Sequence, residues 1–174
     1  MKFLLIITCS IFITSCQYNP HADKFLTVEP NVSEVVGIYE LQEAYVDMVN
    51  PSLNDRILST SPKPIITLRA DGTATLKQFP FFEELDTGFD YAFKGFEDIN
   101  AHWKISAVGS VSFGADDTKT VYGVLFTLPD GGVLFDSPTL TGNTTVDGLI
   151  FTLYDGDQGQ ILGYQKSKLP NNTQ

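Results

Sequence analysis

The chain has 174 residues, with 11 Lys and Arg against 21 Asp and Glu, a net charge of −10, and 43% hydrophobic residues. That acidity makes nucleic acid and anionic lipid surfaces poor partners, because like charges repel before any contact forms. Its 2 cysteines, Cys9 and Cys16, both sit at the N-terminus, so no disulfide can join distant strands and core burial must hold the fold.

Met1-Lys2 precede an apolar run that ends near Ile13. A run of about a dozen residues is shorter than the ~20 that cross a hydrocarbon core, so it reads as the h-region of an export signal, residues 1–15. Its end, Ile13-Thr14-Ser15-Cys16, resembles the bacterial lipobox. The resemblance implies cleavage before Cys16, acylation of its thiol and new amino group by chains such as palmitate, and membrane attachment in a bacterial cell envelope. Gln17 stands where an Asp would imply inner-membrane retention, which favours the outer membrane. Two or more acyl chains hold a protein stably where one binds marginally. Within such a lipoprotein the sequons at Asn31, Asn143 and Asn171 are chance matches.

Residues 16–34 are polar, broken by Pro20 and Pro30, and without a sustained period, so they read as the lipidated Cys and a flexible tether. Beyond them, from 35 to 168, short alternating or wholly apolar runs rich in Val, Ile, Thr and aromatics are separated by Gly, Asp, Asn and Pro, the pattern of antiparallel strands. The clearest is Ile65 to Lys77. Here Ile66, Leu68, Ala70, Ala74 and Leu76 fall on one face, and Asp71-Gly72 are the residues of a tight type I′ turn. Further strands are expected at 35–41, 101–108, 119–128, 133–136, 149–154 and 161–166. Pro129-Asp130-Gly131-Gly132 and Asp155-Gly156-Asp157-Gln158-Gly159 supply turns between them. With no βαβ spacing, the chain is expected to be all-β, an antiparallel barrel or sandwich, followed by a disordered tail at 169–174.

One stretch departs from the pattern. Between Phe79 and Trp103, aromatic residues alternate with Glu83, Glu84, Asp86, Asp90, Glu97 and Asp98. Pro80, Phe81 and Leu85 suit a short helical segment that Gly88 ends, and Phe89, Tyr91 and Phe93 then alternate as a strand. Clustered rings either fill a core or line a pocket. On the second reading the candidate ligand-binding residues are Phe82, Phe89, Tyr91, Phe93 and Trp103.

Catalysis finds little support, and the expectation is a protein that is not an enzyme and needs no cofactor. A Ser nucleophile needs a positioned base, yet the 2 histidines are His21, in the tether, and His102, beside Trp103 in a strand. Neither His-x-His nor His-Glu-x-x-His occurs, so a zinc site is not indicated. Asp155 to Gly159 opens like a calcium loop, but the position of the bidentate Glu falls on Lys166, and a hairpin turn fits better. The Asp116-Asp117 pair also suits a turn. Glu83, Glu84, Asp86 and Asp90 are crowded carboxylates whose spacing fixes no glycosidase geometry.

Four pieces in order, Gly37-Ile38-Tyr39-Glu40-Leu41, Ile66 to Thr73, Trp103-Lys104-Ile105 and Asp155 to Lys166, resemble small lipocalin-like bacterial lipoproteins across residues 35–168. The resemblance implies an up-and-down antiparallel β-barrel of about eight to ten strands. It places Gly37-Ile38-Tyr39 at the barrel floor, with Tyr where the family has Trp, and Lys166 or Lys168 packed over it. It further implies a lipid-anchored envelope protein that binds a small apolar ligand without chemistry. The alternative is a side-chain-filled barrel that binds another envelope protein as an inhibitor, immunity or assembly factor.

Overall fold

The computed structural model describes residues 19–47, 51–84, 91–112, 117–132, 134, 137–153 and 159–167, with Glu84 and Tyr91 described in backbone only. The signal segment, Cys16, Phe89, Lys168, residues 155–158 and the 169–174 tail lie outside them. Eight antiparallel strands form a closed up-and-down barrel: β1 (Gly37–Tyr45), β2 (Ile65–Leu68), β3 (Thr73–Glu84), β4 (Tyr91–Ser112), β5 (Thr118–Thr127), β6 (Thr139–Thr141), β7 (Gly148–Thr152) and β8 (Ile161–Lys166). The ring closes where β8 pairs with β1, from Tyr39 opposite Lys166 to Tyr45 opposite Ile161. Because connections alternate, the β1–β2, β3–β4, β5–β6 and β7–β8 links share one end, the mouth. The other end is the floor.

The β2–β3 hairpin forms as expected, with one difference in its turn. Gly72 has φ 79°, but Asp71 is not among the residues with positive φ. Arg69 and Thr73 bracket a three-residue connection in which Gly72 N–H donates to Arg69 O and Arg69 N–H to Thr73 O. Asp71 contributes through its carboxylate, which accepts from Thr73 N–H and Oγ at 2.9 and 2.7 Å. A side chain that satisfies the turn removes the need for a second left-handed residue, so a type I′ geometry gives way to a bulged turn, and Ala70 is exposed. At 133–136, Leu134 is described and lies outside any strand.

The helices are not where Pro80 points. Residues 80–84 belong to β3 because Pro80 to Glu84 pair with Phe96 to Tyr91; a ladder of partners overrides a weak local helical preference. Helix α1 (Val32–Val35) closes the floor and α2 (Pro51–Leu58) stands at the mouth between β1 and β2. Asn31 N–H donates to Glu34 Oε2 at 2.7 Å across the start of α1. In α2 the proline occupies the first turn, where its missing N–H costs nothing. Asn54 of α2 accepts from Val46 and Asp47 N–H at 2.8 and 3.2 Å and so ties the helix to the end of β1.

Residues 19–34 are not a free tether from Asn19 onward. A short 3-10 turn (Ala22–Lys24) leads to Phe25 and Leu26, which enter the sheet between β5 and β6. Those strands pair only through Gly123 and Thr139. In the gap, Leu26 N–H donates to Leu140 O, Tyr122 N–H donates to Leu26 O, and Gly142 N–H donates to Lys24 O. Backbone groups left unpaired by the splay must find partners, and this strap supplies them. Leu26 is 2% exposed. The strap also explains why β7 and β8 are apolar on both faces. Ile150 and Ile161 point outward from the barrel, yet they are 5% and 2% exposed, on the side along which residues 21–25 run past Gly159, Glu43 and Thr141.

β4 outruns the ring at both ends, with β3 beside it at one and β5 at the other, and so makes two arms. The upper arm pairs Phe79–Glu84 with residues of β4 between Tyr91 and Glu97. The lower arm pairs 106–112 with Thr118–Gly123.

Candidate functional site

The barrel interior is aromatic. Tyr39, Phe79, Phe126 and Phe151 are at most 1% exposed, with Tyr164 at 2%. Phe79 meets Phe151 edge to face at 5.2 Å and stacks on Tyr164 at 6.3 Å; Phe151 meets Tyr164 at 5.7 Å and lies parallel to Phe126 at 6.4 Å. Alternation along β8 turns Leu162 and Tyr164 inward, opposite Phe151 and Leu149 of β7. Gln160, two residues before Leu162, falls on the same side.

Two polar atoms in this region stand out. Tyr164 Oη and Gln160 Oε1 are buried and have no hydrogen-bond partner among the described residues. A buried polar group without a partner costs about 1–3 kcal/mol, so native chains rarely leave one where nothing can satisfy it. Burial pushes the Tyr164 phenol well above its ordinary pKa, so it stays a neutral donor at any physiological pH. Gln160 Oε1 is an acceptor. One is therefore an unused donor and the other an unused acceptor, each buried in a largely apolar core.

Of the sequence-predicted aromatics, Phe82 and Phe93 come together and Trp103 does not join them. Phe82 is 4% exposed and lies 5.5 Å from Phe93, which meets Phe96 at 5.4 Å. The Arg56 guanidinium of α2 sits 5.0 Å from the Phe93 ring centre, so the upper arm lies down on the helix at the mouth. Between the ring and the arm, the strands are bulged. Gln78 has φ 51° and Gly95 φ 131°, and Asp98 holds the kink by accepting from Gln78 N–H at 2.9 Å and Lys77 Nζ at 2.8 Å. The Lys77 ammonium, then the Gln78 amide, hold the Asp98 carboxyl below the usual carboxylate range.

Trp103 is ten residues along the same strand, about 33 Å from Phe93 at ~3.3 Å per residue. It is buried near the floor, where Nε1–H donates to Arg69 O at 2.9 Å. Phe89 lies outside the described residues and the side chain of Tyr91 is not described.

The floor is built around Tyr39. Its hydroxyl donates to Val35 O of α1, and Lys166 Nζ stands 5.8 Å from its ring centre while donating to Glu34 O at 2.5 Å. A side chain at Gly37 would run into Lys166, since a Cβ there would be 2.6 Å from Lys166 Cε.

Groups for chemistry are dispersed. His21 is half-buried with Nε2 3.4 Å from Gly159 O, His102 is exposed, and Glu83 pairs with Lys94 at 2.5 Å. Among the described residues no three His, Cys, Asp or Glu gather as a metal site, and no helix is long and apolar enough to cross a membrane. Sequence reasoning missed Arg56, Gln160 and Tyr164. The only signal for Tyr164 was its place in an apolar run, Ile161 to Tyr164, where a hydroxyl is the odd member.

Compared with known proteins, the chain matches no family model, no curated protein and no solved structure.

Proposed function

We propose that this chain is a lipid-anchored protein of the bacterial envelope whose barrel binds a small, mostly apolar ligand and catalyses nothing. The observation that carries this reading is the Tyr164 hydroxyl, buried between Phe79 and Phe151 without a partner among the described residues. A ligand with an apolar body and a hydroxyl or amide group would satisfy both Tyr164 and Gln160. An ionised carboxylate could accept from Tyr164 but could not donate to Gln160 Oε1. Signal peptide, acylation at Cys16 and outer-membrane address belong to the same proposal and rest on the lipobox resemblance.

The test is displacement of an apolar naphthalene dye from a chain beginning at Gln17, which keeps every described residue. Dodecanol should displace the dye more effectively than dodecane or dodecanoate, and Tyr164→Phe should erase the preference while leaving dye binding intact. Dye that never binds saturably would sink the reading.

A second reading, a module for a protein partner, has its own observation. The pairing of β3 with β4 ends at Thr73 and His102, so residues 104–111 carry an edge that no strand covers among the described residues. Such an edge can accept an added strand.

A further inference from the structure

The strap fixes more than the β5–β6 seam. Pro20 and His21 lie at the mouth end against Gly159, where a Cβ would stand 3.1 Å from Pro20 Cγ. With Tyr45, Leu58 and Ile161 they border a groove of about 520 Å³ beside the mouth. Cys16 is four residues before Pro20, and four extended residues at ~3.5 Å each span about 14 Å at most. From Lys24 to Leu26 the chain is pinned by a salt bridge to Glu43 at 3.6 Å and by three backbone hydrogen bonds, so the link cannot be lengthened without tearing the seam. An anchor at Cys16 therefore holds one particular end of the barrel close to the lipid.

We propose that the mouth end, with Tyr45 and Leu58, faces the bilayer surface, and that the floor end, with Ile38 and Val32, faces away. This rests on the acylation of Cys16. The partner is the lipid surface itself. Four positions test the alternative orientation in principle, because Val28, Val32 and Ile38 leave apolar surface exposed at the floor end, as Tyr45 does at the mouth. Contact by hydrophobicity alone would favour the floor, with three exposed side chains, whereas the length of the link favours the mouth. The link wins because it is covalent and short: Ile38 is seven residues from Tyr45, about 23 Å along β1, and lies beyond the strap's point of departure.

The mature chain has no thiol beyond the one that acylation consumes, so single cysteines can be labelled cleanly. Tyr45→Cys and Ile38→Cys, at positions 45% and 40% exposed, accept a fluorophore without disturbing the core. The full acylated protein is reconstituted into phosphatidylcholine vesicles carrying a nitroxide on the headgroup. The label at 45 should be quenched severalfold more than the label at 38, and native Trp103, which needs no substitution, should be quenched as little as position 38. Equal quenching at 45 and 38, or stronger quenching at 38, overturns the orientation. Flotation separates this from the anchoring reading: a chain that fails to float with vesicles refutes acylation at Cys16, whereas one that floats with the label at 38 quenched refutes only the orientation.

Discussion

The two arms leave the barrel at opposite ends and are made of the same strand, β4, yet they behave as different materials. The upper arm carries Phe82, Phe93 and Phe96 and is folded onto α2. The lower arm carries Ser106, Gly109, Ser110, Ser112, Thr118 and Thr120, and most of these stand in solvent. Large rings give an over-long hairpin a reason to bend back and a surface to lie on, worth roughly 1.5–3 kcal/mol per buried side chain. Small hydroxylated residues give it neither. The lesson is that a run of aromatics in sequence reports where an extension must find cover, and that cover here is a helix from another part of the chain.

The sharpest way to break this contrast is to remove a ring. Phe82→Ala should cost about 3 kcal/mol, the lower end of the range for deleting a buried phenyl, whereas Ser110→Ala on the lower arm should stay within about 0.5 kcal/mol. Urea midpoints at constant m-value check both. Next in size is the bulge that aims the upper arm: Gln78→Val places a β-branched residue at φ 51° and should lose about 1–2 kcal/mol, while Gln78→Gly should lose none of this. A smaller effect comes from the helix contact, where a double-mutant cycle of Arg56→Met and Phe93→Leu should give a coupling of about 0.5–1 kcal/mol. Coupling near zero would mean that the arm rests on α2 through packing alone.

The smallest effect is pH-dependent. Lys77 and the Gln78 amide lower the Asp98 pKa in the folded state below the 3.8 of the free carboxyl. A group depressed on folding contributes stability that is present above the unfolded value and is lost as pH falls through the folded one. Acidification below about pH 4 should therefore weaken the kink, and Asp98→Asn should flatten that limb of the stability profile. An unchanged acid limb in the variant would show that Asp98 adds nothing to the bulge.

Much of the ring was legible. Alternation at Ile66, Leu68, Ala74 and Leu76 gave the face that is buried, and β8 runs over 161–166 as expected, because strand periodicity is local and each residue carries its own share. What escaped was whatever depends on a distant partner. Phe25 and Leu26 are two apolar residues in a polar stretch, and nothing nearby says that Tyr122 and Leu140 leave a gap for them. Pro80-Phe81-Phe82 reads as the start of a helix until Phe93 and Phe96 stand opposite. Helix α2 had a signal, Pro51 followed by Leu53, Ile57 and Leu58 at helical spacing, that the strong strand pattern around it obscured. Trp103 was grouped with the other rings by proximity in sequence, and an extended strand separates such neighbours faster than any other structure.

The strap has a temporal consequence. Leu26 belongs to a part of the chain that is made early, yet its seat lies between β5 and β6, which are made much later. A contact of such long sequence separation closes late, since loop entropy must be overcome before it is rewarded. A segment made early is thus among the last to dock, and the barrel stays unlatched until its final strands are in place; pulse-labelled hydrogen exchange would find the Leu26 amide among the last protected.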